Sequence, residues 1–314
     1  LQFLYLMVKT RFVKSEFEFT IYFMILQRQY HVFLTFSYNT DINIRGNIMK
    51  EQNFDTNPQK NEAKKSNIIL KLQDICFSYH SLAGETEVLK NITFDVKEGE
   101  FIAIVGPSGC GKSTLLNIIS GLTKAKSGEY IMPKELSIGY MLQHDHLFEW
   151  RTIFENVTLG LEIQGKMTKE NTDYVNSLLE SYGLYDFKDK RPSELSGGMK
   201  QRAALIRTMA LHPGILLLDE PFSALDYQTR LMVSSDIGKL IRRTGKTAIL
   251  VTHNLSEAIS LADRVIVLSH RPATLKADIE IHLTIPDDSL LGYRSAPEFQ
   301  HYFNELRGLL IDEK

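Results

Sequence analysis

Gly106-Pro107-Ser108-Gly109-Cys110-Gly111-Lys112-Ser113 carries the pattern G-x-x-x-x-G-K-S. The run before it, Phe101-Ile102-Ala103-Ile104-Val105, is continuously apolar and reads as a buried strand. The run after it, Thr114-Leu115-Leu116-Asn117-Ile118-Ile119, reads as the opening turns of a helix. Strand, glycine-rich loop and helix in this order make a phosphate cradle. Gly106, Gly109 and Gly111 let the backbone fold round a phosphate chain with successive N–H groups pointing inward. The helix N-terminus adds positive potential. Lys112 can reach the β- and γ-phosphates and the Ser113 hydroxyl can ligate Mg²⁺. Pro107, Ser108, Cys110 and Thr114 complete the binding stretch. The implied ligand is a nucleoside triphosphate.

Further chemistry lies downstream. Ile215-Leu216-Leu217-Leu218 reads as a central parallel strand buried on both faces, and Asp219-Glu220 follow at its C-terminal end. Asp219 can hold Mg²⁺, directly or through water, and Glu220 can accept a proton from an attacking water. His253 follows a second apolar run, Ala248-Ile249-Leu250-Val251-Thr252, and Gln143 follows a run that reads as a strand, Ile138–Leu142. Ser196-Gly197-Gly198 opens a helical stretch through Met209, whose first N–H groups form a second anion site. One chain does not need two sites for one γ-phosphate.

Leu195-Ser196-Gly197-Gly198-Met199-Lys200-Gln201-Arg202, then Asp219-Glu220-Pro221, then Ser223-Ala224-Leu225-Asp226 and His253, closely resemble the ATP-binding cassette (ABC) family. The likeness is detailed from about Ile68 to Leu268. It implies an α/β fold: a RecA-like core behind the phosphate loop, an antiparallel β subdomain and an inserted helical subdomain. It implies ATP and Mg²⁺, with Glu220 as catalytic base, His253 and Lys112 at the γ-phosphate, and Gln143 sensing water and metal beside Ser113 and Asp219. Ser196, Gly197, Gly198 and Asp226 would serve the nucleotide of a second cassette, in a head-to-tail homodimer. Tyr79 matches the family's adenine-stacking aromatic. Phe77 would share its strand face and remains the alternative.

Composition fits this picture. Hydrophobic residues make up 43%, ample for a core, and the net charge of −2 argues against bulk electrostatic binding of nucleic acid. The two cysteines, Cys76 and Cys110, suit a reducing compartment. Cys110, inside the phosphate loop, is expected to be reactive when nucleotide is absent. Apolar runs near the N-terminus fall short of the roughly 18 residues needed to span a membrane. The chain therefore cannot translocate a solute alone; the family resemblance implies partner permease subunits and, indirectly, a solute-binding protein, with this chain peripheral on the cytoplasmic face of the membrane.

The expected organisation is an ABC ATPase domain over 68–270, with the helical subdomain at 144–206, and a C-terminal tail at 271–314 packed on it. Thr152-x-x-Glu155 reads as a capping box and Lys169 to Glu180 as an amphipathic run. Residues 49–67 read as a flexible polar leader. Leu1 to Ile48 are rich in Phe, Tyr and Ile but broken by charges. Arg45-Gly46-Asn47-Ile48-Met49 can be encoded AGA GGA AAT ATA ATG, a purine-rich ribosome-binding sequence ahead of a start codon. Residues 1–48 are therefore expected to be untranslated leader read in frame. The alternative is an amphipathic extension that docks on membrane or partner.

Leu147-Phe148-Glu149-Trp150-Arg151-Thr152 and Ser269-His270-Arg271-Pro272 resemble the nitrate/sulfonate/taurine importer group, with Glu149 where that group commonly has Pro. Leu147, Phe148 and Trp150 would either anchor a membrane subunit or pack within the helical subdomain. An exporter or lipoprotein-release ATPase, or a soluble relative acting on nucleic acid or ribosomes, are the other readings.

Overall fold

The computed structural model describes residues 67–81, 84–223, 225–284 and 290–311. The expectations for residues 1–48 and for 49–66 lie outside the described residues.

Strands β1 (Ile68–Ser81) and β2 (Gly84–Lys97) pair antiparallel, with Leu72 opposite Phe94. β3 (Phe101–Val105) leads through the glycine loop into α1 (Lys112–Ile119). β4 (Ser127–Ile131) returns to β1 and completes a three-stranded antiparallel sheet ordered β2-β1-β4. β5 (Ile138–Met141) is followed by α2 (Ile153–Val157), α3 (Leu159–Ile163), α4 (Lys169–Ser181) and α5 (Gly197–Met209). Then β6 (Ile215–Asp219), α6 (Tyr227–Thr244), β7 (Thr247–Val251), α7 (Leu255–Leu261) and β8 (Arg264–Leu268) alternate. β9 (Leu275–Glu280), α8 (Leu290–Arg294) and α9 (Phe299–Ile311) end the described chain.

The second sheet has six strands in the order β5-β6-β7-β3-β8-β9. β5 through β8 run parallel and β9 pairs antiparallel to β8. The continuous apolar runs follow from burial on both faces. Ala103, Val105, Leu216, Leu218, Ala248 and Leu250 face the core shared with the helical segments. Their alternates Ile102, Ile104, Ile215, Leu217, Ile249 and Val251 face α1 and the antiparallel sheet. Each fully buried Leu or Ile contributes about 1.5–3 kcal/mol. Two cores, one on each face, therefore hold the sheet rigid beneath the loops at its C-terminal edge.

Three details go beyond the sequence expectation. β9 pairs with β8, so the sheet continues past residue 270 into what the sequence suggested was tail. An acidic-apolar stretch on an edge strand carries no continuous apolar run to mark it. Leu147 and Phe148 are buried, which leaves Trp150, 53% exposed, as the free aromatic of the expected anchor patch. The cause is Asn156, fully buried on α2. Its Oδ1 accepts from Phe148 N at 2.7 Å, and its Nδ2 donates to Phe148 O at 3.1 Å and Thr152 O at 2.9 Å. Cys110 is also buried, and burial pushes its thiol pKa up, the opposite of a reactive thiolate.

Candidate functional site

The parallel strands β3, β6, β7 and β8 end at one edge, where ligands bind in open α/β sheets. β3 delivers the glycine loop. A Cβ on Gly111, at φ 124°, would lie 2.8 Å from Val88 Cγ1. Gly111 is the residue before α1, and no side chain caps that helix, so its first N–H groups face the loop. Lys112 is buried, and its Nζ donates to Gly106 O at 2.8 Å and Pro107 O at 2.9 Å. The ammonium is thus held inside the cradle.

A cleft of about 500 Å³ opens there, lined by Ser108, Gly109, Gly111, Lys112, Ser113, Thr114, Gln143, Glu220, His253 and Arg271. Ser113 Oγ donates to Asp219 Oδ1 at 3.1 Å. Burial raises the Asp219 carboxyl pKa, and the neighbouring Glu220 charge adds to this. Hydrogen bonds from Ser113 and Tyr140 oppose the shift. Two oxygens sharing one octahedral Mg²⁺ at about 2.0–2.1 Å would stand about 2.9 Å apart. The desolvated Asp219 carboxylate and the Ser113 hydroxyl therefore fit that cation.

Glu220 lies at the centre of the polar contacts. Its Oε2 accepts from Gln143 Nε2 at 3.4 Å and lies 3.2 Å from His253 Nδ1. Its backbone sits at φ 45°, in the left-handed region unusual for a non-glycine residue. Such strain costs about 1–3 kcal/mol, no more than the burial of a neighbour such as Leu218 supplies. Glu220 N donates to Val251 O at 2.9 Å, which fixes the turn.

Tyr79 stands half-exposed above α1, its hydroxyl hydrogen-bonded with Thr114 Oγ1 at 3.2 Å. Phe77 packs edge-on to it at 4.8 Å, so one ring is presented and the other supports it. Ser196, Gly197, Gly198 and Asp226 do not line the cleft. Ser196 caps α5, accepting from Met199 N. Asp226 caps α6, accepting from Gln228 N and Thr229 N at 3.1 Å each. A Cβ on Gly198 would lie 2.6 Å from Thr229 Cγ2, so glycine is also required by the approach of α5 to α6.

Two site residues escaped sequence reading. Arg271, just past β8, lines the cleft and its Nη2 donates to Gly109 O. Tyr140 donates to Asp219 Oδ2 at 3.4 Å and Asn117 Oδ1 at 3.1 Å. The signal for Arg271 was its place three residues after the apolar run that ends at Leu268, much as His253 follows its own run. Tyr140 sits inside an alternating strand and gave none.

Known proteins resemble this chain in sequence and fold. The profile of the ABC transporter family matches residues 89–223. The chain is 42% identical over 243 residues to YtlC, an uncharacterized ABC transporter ATP-binding protein of Bacillus subtilis, covering 76% of this chain and 94% of that protein. It is 38% identical to the nitrate import ATP-binding protein NrtD of Synechocystis sp., covering 77% of this chain and 94% of that one. The structure of the dimeric ATP-binding cassette MJ0796 bound to ADP and Pi, in a post-hydrolysis state, superposes with a TM-score of 0.59 at 32% identity, covering 68% of this chain and 99% of that one. With a phosphate loop, a buried aspartate and a clamped glutamate at one sheet edge, this chain belongs to the ATP-binding cassette family and is one of its ATPases.

Proposed function

We propose that this ATPase powers a solute importer, working as a head-to-tail pair of cassettes beneath partner membrane subunits at the cytoplasmic face. The observation that carries the hydrolytic half is the Glu220 carboxylate held between Gln143 and His253 beside the phosphate loop. A carboxylate so placed takes a proton from water as it attacks the γ-phosphate. Gln143 and His253 orient it, and Lys112 exchanges its two backbone carbonyls for phosphate oxygens. Tyr79 stacks on adenine. Ser113, Asp219 and Gln143 would hold Mg²⁺, which supplies charge neutralisation on the phosphates. Ser196, Gly197, Gly198 and Asp226 lie outside this cleft and serve the nucleotide of the partner copy.

Import is supported by the likeness to NrtD and to the taurine import ATP-binding protein TauB of Jannaschia sp., 37% identical over 237 residues. Trp150, exposed beside the Glu149–Lys200 ion pair, is the anchor offered to a membrane subunit.

Glu220→Gln tests the hydrolytic half. The variant keeps the side-chain shape and loses the base, so ATP affinity should persist while turnover falls ~10²–10⁴-fold. An ATP-bound dimer should then accumulate on size-exclusion chromatography. Turnover near that of the unaltered protein would remove Glu220 from the role of base.

A further inference from the structure

Glu220 and His253 sit on different loops, one after β6 and one after β7, and their 3.2 Å contact needs both loops in register. We propose that Arg230 and Glu257 form a positioning pair that ties these two loops together and sets the Glu220–His253 geometry, an inference that rests on the catalytic reading above.

The contacts form a chain that is open at one link. From α6, Arg230 Nη2 donates to Ser223 O at 3.2 Å and Leu225 O at 3.0 Å. Ser223 donates twice to the Glu220 carbonyl, from N at 3.1 Å and from Oγ at 3.0 Å. Arg230 therefore grips the turn that holds Glu220 at its strained φ. On the other side Glu257, on α7 and 4% exposed, accepts from Thr252 Oγ1 at 2.7 Å and Asn254 Nδ2 at 3.2 Å. These are the two chain neighbours of His253. The Asn254 side chain in turn caps α7, accepting from Ser256 N at 3.0 Å.

The remaining link is Arg230 Nε, which is buried, has no hydrogen-bond partner, and stands 3.9 Å from Glu257 Oε1. A charge-assisted N–H···O bond closes at about 2.7–2.9 Å. The ring is thus one short movement from complete. The segment Arg230 holds runs into Asp226. Burial raises the Glu257 pKa, and the Thr252 hydrogen bond and the charges of Arg230, His253 and Arg294 oppose that rise.

The test is a double-mutant cycle of Glu257→Gln and Arg230→Lys. Glu257→Gln keeps an acceptor for Thr252, and Arg230→Lys keeps the charge but cannot fork to two carbonyls and a carboxylate. Each should lower kcat ~10–10²-fold, as expected for misplacing a catalytic group by about an ångström, with KM for ATP held within about twofold. The double variant should be no slower than the worse single one, and Glu257→Gln should add nothing in a His253→Ala background. Losses that multiply independently, kcat within about twofold of the unaltered protein, or a rise in KM alone would overturn the pair. Melting temperature is measured alongside. If Glu257→Gln fails to fold, Arg230→Lys, at a partly exposed site, decides alone. Loss of turnover in Glu220→Gln but not in these variants sinks this inference only, whereas turnover retained by Glu220→Gln sinks the catalytic reading beneath it.

Discussion

Asp219 illustrates how a candidate site residue works against the fold that holds it. Its carboxyl pKa is raised, first by burial and then by the charge of Glu220. A folded-state pKa above the unfolded one means the proton is held more tightly in the native state. Ionisation therefore subtracts stability. The loss is absent below the ordinary carboxylate range, grows as pH climbs from there to the raised pKa, and is complete above it. Asp219→Asn removes the charge and keeps an acceptor for Ser113. Calorimetry without nucleotide should show a higher Tm for the variant at pH 7, with a smaller gain at pH 5. ATPase activity should fall, because the removed charge is the one that suits Mg²⁺. A lower Tm at pH 7 would contradict this account. The Glu220 turn carries the same tension, a strained backbone held by Val251, Ser223 and the contacts behind them.

At the scale of elements, α2 is five residues long and too short to persist by propensity. Three things hold it. Ile153 and Val157 are fully buried, Asn156 is bonded to the preceding turn, and Thr152 closes a capping box with Glu155 at 3.2 and 2.8 Å. Thr152→Ala should cost about 1 kcal/mol in denaturant unfolding, and Thr152→Ser should recover most of it. Because α2 fixes the turn that presents Trp150, the loss matters beyond stability. An unchanged unfolding midpoint in Thr152→Ala would mean the cap is idle. Arg207 on α5 makes a comparable link, donating to His146 O at 2.7 Å just after Gln143. The helix opened by Ser196 is thereby coupled to the loop that carries Gln143.

For the whole molecule, the decisive feature is that Ser196, Gly197, Gly198 and Asp226 lie outside the cleft lined by Lys112 and Glu220. A head-to-tail pair makes two composite sites, each from one phosphate loop and one facing helix start. Ser196→Arg and Lys112→Ala should each be inactive alone. Mixed in equal amounts they form mixed dimers with one intact site, so activity should return to about a quarter of the unaltered protein, half the dimers with one site of two. Complementation measured by phosphate release is the check. Full activity in a strictly monomeric unaltered protein would refute the shared site.

The sequence alone determined whatever depends on local order along the chain. Gly106–Ser113 between an apolar strand and a helix, Asp219-Glu220 after Ile215–Leu218, and the capping box at Thr152 each announce their structure within a few residues. This holds because phosphate cradles, doubly buried strands and helix caps are made by neighbours. Which residues meet across the sheet edge was decided only by tertiary structure. Arg271 reaches the cleft because β8 happens to lie beside β3, and Tyr140 reaches Asp219 because β5 pairs with β6. β9 belongs to the sheet because β8 offers it an edge, and Phe148 turns inward, with Leu147 beside it, because Asn156 claims the Phe148 backbone. The Arg230–Glu257 link joins residues 27 positions apart through two loops. Such contacts depend on strand order and packing, which no short stretch of sequence contains.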